Sequence, residues 1–133
     1  MLKAILIKIL NLLWTLEGLL LGILSGPKQF LLHRNSDAII IHVYGFWWLQ
    51  SIKGYRRARG MALGNVVLLA PTADTADLHH ELIHVEQFER TPLIHPFLNW
   101  YQLWKNGYQG NKYEREAYER SGSRYYDTEG NLT

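Results

Sequence analysis

The sequence predicts an α+β domain: an apolar N-terminal helix, a small three-stranded and mostly antiparallel sheet, a helix bearing H-E-x-x-H, and further helices behind it. Three observations predict this. Residues 1–25 are rich in Leu and Ile and contain no breaker before Gly26-Pro27. From Ala38 to Leu69, short β-branched runs are punctuated by glycines. From Thr72 onward, helical spacing with caps and stops replaces them. At 133 residues, one hydrophobic core needs no staples.

Taken in order, residues 1–25 read as one helix. Its less apolar positions, Ala4, Lys8, Asn11, Thr15, Gly18, Gly22 and Ser25, recur every three or four residues and make a single narrow stripe. Such a helix is either a buried core element or membrane-associated, and both readings stay open. Lys8 and Glu17 make it a marginal span, and no small-x-small site follows it. A cleaved secretory signal is therefore not expected, and the expected setting is cytoplasmic or membrane-associated. Lys28 to Asp37 reads as a connector, Ala38 to Tyr44 as a strand, and Phe46 to Ile52 as a second strand turned back at Gly45. A basic turn, Gly54 to Gly60, leads to a third strand, Met61 to Leu69, in which Gly64 signals a bulge or a close backbone approach.

Thr72 to Asp77 supplies N-cap residues and early acids, and Thr91-Pro92 stops the helix that follows near Arg90. Pro96 to Lys105 predicts a short aromatic helix closed by Asn106-Gly107. Lys112 to Arg120 predicts the last helix, with Gly122 past its end and a polar tail over 123–133. The domain division is thus 1–25, 26–122 and the tail.

Composition narrows the chemistry. There are 14 Lys and Arg against 12 Asp and Glu, a net +2, with no sustained basic patch, so no nucleic-acid partner is expected. No cysteine is present, which removes disulfides, thiol nucleophiles and cysteine-bound zinc together. A metal here has to be held by His and carboxylate.

The stretch His79 to Arg90 offers such a site. His80 and His84 lie one turn apart on one helix face, so both imidazoles can converge on one ion. Glu81 lies about 100° round the helix, able to face the same cleft as a base. A catalytic zinc needs a third protein ligand. The metzincin extension would place Gly at 87 and His at 90, where this chain has Gln87 and Arg90. A carboxylate from a second helix is the other solution, and Glu114 and Glu116 compete for it, Glu114 being favoured by its spacing to Ala117.

H-E-x-x-H followed by a helical E-x-x-A resembles the gluzincin metallopeptidases, and the small size resembles the minimal minigluzincins. The resemblance covers roughly residues 61–120. It implies a zincin-like fold, one Zn2+ per chain held by His80, His84 and Glu114, and Glu81 as general base of a peptidase. It also implies a substrate strand, for which Leu63, Gly64, Asn65 and Val66 are the expected edge. Tyr108, Tyr113, Tyr118 and His95 are candidates for the donor that steadies the developing oxyanion. The family's Asp after the small residue, which supports a ligand histidine, is Tyr118 here, so that support has to come from elsewhere. The expected partners are a peptide or protein substrate and a membrane contact through residues 1–25. The alternative is a catalytically inactive module of the same fold that acts by protein or membrane binding.

Overall fold

The computed structural model describes residues 1–49 and 58–122. Among them are five α-helices and one four-stranded mixed sheet, so the α+β class holds and the strand count is corrected from three to four. The helices are α1 (Leu2–Leu10), α2 (Leu12–Leu24), α3 (Thr75–Arg90), α4 (His95–Gly110) and α5 (Lys112–Ser121). The strands are β1 (Pro27–Leu32), β2 (Ile39–Val43), β3 (Gly60–Leu63) and β4 (Val66–Leu69), in the order β1-β2-β4-β3. β2 and β4 run parallel; the other two pairings are antiparallel.

Both inner strands alternate between two cores, as the twofold period of a strand requires. Ile41, Val43, Val66 and Leu68 face one side, where Leu19 and Leu21 of α2 cover them. Ile40, Val67 and Leu69 face the other, where Leu78, Leu82 and Val85 of α3 cover them. The sheet is the middle layer between α2 and α3.

Four predicted elements are corrected. The N-terminal helix is two helices, bent by 57° at Asn11. The bend has a tertiary cause: Asn11 is buried, its Nδ2 donates to the Phe88 carbonyl (2.9 Å), and its Oδ1 accepts from Leu93 N–H (2.9 Å). The connector after Pro27 contains β1, whose six residues are all exposed, so no alternation marked it. In the predicted second strand, Trp47–Leu49 is a 3₁₀ turn instead. The Trp47 and Trp48 indoles donate to the Leu24 carbonyl and Ser25 Oγ (2.8 Å each), which coils the segment against the end of α2. Residues 50–52, most of the basic turn (54–57) and the 123–133 tail lie outside the described residues.

The predicted third strand is a hairpin. Gly64, at φ +59°, makes the turn with Asn65, and a Cβ on Gly64 would collide with Thr15. Thr15 Oγ1 accepts from Asn65 N–H at 3.0 Å, pinning the turn to α2. Downstream, α4 runs past the predicted stop at Asn106 to Gly110, with a kink at Gly107 (φ 74°, ψ 176°). Asn111 caps α5 by accepting from Tyr113 N–H (2.9 Å), and left-handed Gly122 ends it.

Candidate metal centre

The helix that carries the site starts where its caps dictate. Asp74 accepts from Asp77 N–H (2.9 Å), and the Asp77 carboxylate accepts from Asp74 N–H (3.0 Å), a reciprocal capping box. Arg59, just ahead of β3, pairs with Asp77 at 3.1 Å and ties the approach of that strand to the first turn of α3.

One turn further on, His80 and His84 face α5. Ala117, fully buried, lets α5 lie close against α3, and Glu114, one turn before it, reaches both imidazoles. His80 Nε2 and His84 Nε2 are 3.1 Å apart. Glu114 Oε2 is 3.2 Å from the first, and Oε1 is 3.3 Å from the second. Ligands about 2.0–2.2 Å from a tetrahedral ion stand about 3.3–3.6 Å from one another. His80, His84 and Glu114 could therefore hold a metal ion. Glu116 is elsewhere engaged, accepting from Gln87 Nε2 (2.8 Å) and from Arg90 (2.6 and 2.8 Å), with Arg120 alongside. The choice between the two glutamates falls on Glu114.

The support for His84 comes from a residue that the sequence reading noted only as a departure from another pattern. Gln87 Nε2 faces two groups that can only accept, the Tyr113 carbonyl (3.0 Å) and the Glu116 carboxylate. Its orientation is thereby fixed, and its Oε1 must accept from His84 Nδ1–H at 2.8 Å. Nδ1 therefore keeps its proton, and Nε2 is the ring nitrogen turned to Glu114 and left for a metal to take. Gln87 is three residues after His84 and so on the same helix face, which was the available signal.

Electrostatically the cluster is tight. Burial opposes a charge on Glu114, yet the adjacent imidazoles hold its carboxyl far below the usual range. Burial likewise pulls His84 down, but the charge and hydrogen bond of Glu114, with help from Glu81 and Gln87, carry it up to about 10. Glu81 is buried too, and its pKa is raised by desolvation against the pull of both histidines. A Cβ on Gly60 would lie 2.8 Å from Glu81 Cγ and 2.9 Å from Oε1. The first residue of β3 thus lies directly against the candidate base, a contact with no signature in the sequence.

The expected substrate edge is shifted. The end strand of the sheet is Gly60–Leu63, which keeps Leu63. Gly64 and Asn65 form the turn, and Val66 is fully buried in the interior strand β4. The four oxyanion candidates separate as well. Tyr118 packs its ring 4.4 Å from that of His80 and shares a 2.8 Å hydroxyl hydrogen bond with Tyr108. Burial raises both phenols, Tyr118 to about 12 and Tyr108 further, so both stay protonated. Tyr113 and His95 meet edge to face (4.8 Å), and Phe88 lies 4.7 Å from the His95 ring. His95 Nδ1 is buried without a hydrogen-bond partner among the described residues, and burial lowers the ring's pKa to about 4.

No family model matches the chain, and neither the curated proteins nor the solved structures give a match.

Proposed function

We propose that this chain is a zinc-dependent peptidase with a gluzincin-like catalytic core. The observation that carries the reading is the convergence of His80 Nε2 and His84 Nε2, 3.1 Å apart, on the Glu114 carboxylate, whose Oε2 lies 3.2 Å from the first and Oε1 3.3 Å from the second, beside a buried fourth residue, Glu81. Two neutral nitrogens and one carboxylate, without thiolates, are the donor set of a catalytic zinc rather than a structural one. When bound, zinc lowers the pKa of a water from ~16 towards ~7 and polarises a carbonyl.

The chain's own residues supply the rest. Glu81, with its raised pKa, accepts the proton of the attacking water and returns it to the leaving amine. The outer edge of β3, which pairs with no strand among the described residues, begins at Gly60, against Glu81, and offers main-chain hydrogen bonds to an extended peptide laid beside it. Tyr108 and Tyr118 both stay protonated and share a hydroxyl hydrogen bond. The Tyr118 ring lies against that of His80, which makes its hydroxyl a candidate donor to the developing oxyanion. The polar residue missing at position 118 is compensated at Gln87, which orients His84 from within the same helix.

The test combines metal analysis with cleavage of a quenched peptide library. Wild type is expected to bind about one zinc per chain and to cut. Glu81→Gln is expected to keep the metal and to lose about 10²–10⁴-fold in turnover, the usual weight of a general base. Zinc bound by both proteins with no cleavage by either would move the reading to a non-catalytic binding module. No zinc, together with an unaltered His80→Ala protein, would end it.

A further inference from the structure

The N-terminal helices are built inside out. On α2 the residues turned to the protein are Trp14, Gly18 and Gly22, flanked by half-buried Leu19 and Leu21, while Leu13, Leu16, Leu20 and Leu24 point to solvent. Added Cβ atoms on Gly18 and Gly22 would stand 2.9 Å from Val66 Cβ and Ile41 Cδ1, so these glycines bring the helix backbone onto the sheet. The polar stripe residues Asn11, Thr15 and Ser25 spend their hydrogen bonds inside the protein. α1 buries nothing at all, and Leu2 is 81% exposed. Small and polar groups inward with leucines outward is the pattern of a helix whose solvent is hydrocarbon.

The apolar face extends past α2 at both ends. At one end Trp47 caps Leu24 through its indole, its ring exposed. At the other, Trp14 stacks on Phe97 (5.8 Å) and Phe97 on Trp100 (5.5 Å), leading along α4 to Trp104, 82% exposed. Aliphatic residues hold the centre and tryptophans the flanks. A protein–protein interface has the reverse order, with aromatic and Arg anchors at its centre and a polar rim. Flanking tryptophan and tyrosine are what the edge of a bilayer selects. Lys28 lies over the Tyr44 ring (4.9 Å) and Lys105 over Tyr101 (5.7 Å). Residues 1–32 and 95–110, which form the face, carry four lysines, Lys3, Lys8, Lys28 and Lys105, against Glu17 alone, whereas the whole chain nets only +2. Lys8 also reaches Asp37 at 3.5 Å.

We propose that this face seats the protein in the plane of an anionic phospholipid bilayer. Among the described residues, no single helix is long and apolar enough to cross a membrane; α1 and α2 reach that length and apolarity only as a pair bent by 57°. α2 is fastened to the sheet by its glycines, and β1, an end strand of that sheet, has an outer backbone edge that hydrocarbon would penalise. Shallow seating at the headgroup boundary satisfies both constraints. The proposal rests on the surface alone and is independent of the metal site.

Vesicle flotation of the full chain, diluted from mild detergent, tests it. Wild type is expected to float with mixed phosphatidylcholine–phosphatidylglycerol vesicles and about tenfold more weakly with phosphatidylcholine alone. Leu13→Glu/Leu16→Glu and Trp100→Ser/Trp104→Ser should keep the wild-type circular dichroism and lose about tenfold or more in partitioning. Failure of wild type to float with either lipid overturns the proposal, as does equal flotation of the variants. A dimer that forms in buffer, dissolves in Leu13→Glu/Leu16→Glu and ignores vesicles also overturns it, and gives the face to a second copy.

Discussion

Helices α2 and α3 cover opposite faces of one sheet by opposite means. α3 docks through Leu78, Leu82 and Val85 and buries His80, Glu81, His84 and Gln87 on another side, where α5 and its own turns give His80, His84 and Gln87 polar partners. α2 docks through Trp14, two glycines and half-buried Leu19 and Leu21, and exposes its remaining leucines. Buried polar groups mark where chemistry is prepared, because each needs a partner to be tolerated. Exposed leucines mark where a partner is missing from the isolated chain. Hydrophobicity alone would rank the two helices the wrong way round as core elements.

The largest effect expected from disturbing this arrangement is at Gly60. Gly60→Val should drive Glu81 from its place and cost about 10²-fold in kcat/KM, as a displacement of about 1 Å does elsewhere, with zinc content unchanged by metal analysis. Gln87→Ala should weaken zinc about 10–100-fold in a competition titration, because His84 Nδ1–H loses its acceptor; Gln87→Glu, which keeps one, should recover most of it. A paired substitution sharpens the contrast between the layers. Gly18→Val should lower stability by about 1–3 kcal/mol in urea unfolding by overpacking against Val66, whereas Leu16→Ala, on the outer face, should stay within about 0.5 kcal/mol.

The remaining effect is a pH dependence. His95 folds with its pKa lowered to about 4 by burial and by the neighbouring His84 charge, against about 6.5 unfolded. Its neutral form stabilises the fold above pH 6.5, and that contribution falls as pH drops from 6.5 to 4, by at most about 1.4 kcal/mol per unit. Urea midpoints of metal-free protein across that window should slope less for His95→Phe than for wild type.

How much of this could be read in advance follows from where each signal resides. α3 was legible because its determinants are local: Asp74 and Asp77 at the start, Pro92 beyond the end, and ligands four residues apart. Glu114 was legible through its spacing to Ala117, a small residue that only makes sense as a close packing point. The break at Asn11 was not, since its cause lies 77 and 82 residues away in Phe88 and Leu93. β1 gave no alternation because neither of its faces is buried, and the hairpin at Gly64-Asn65 read as a bulge because apolar residues continue on both sides of it. The stripe on residues 1–25 was visible, but not its direction; amphipathicity does not say which side water, protein or lipid will take.

Asn11 has one more consequence. It is the hinge between α1 and α2, and the same side chain grips the last turn of α3 and the loop beyond it. No slack linker separates the leucine-covered layer from the helix that holds the histidines. Seated on a bilayer as proposed, the protein would hold His80 and His84 at one fixed height above the lipid. The fold acts as a ruler, with Asn11 as the rivet that keeps its two arms from sliding.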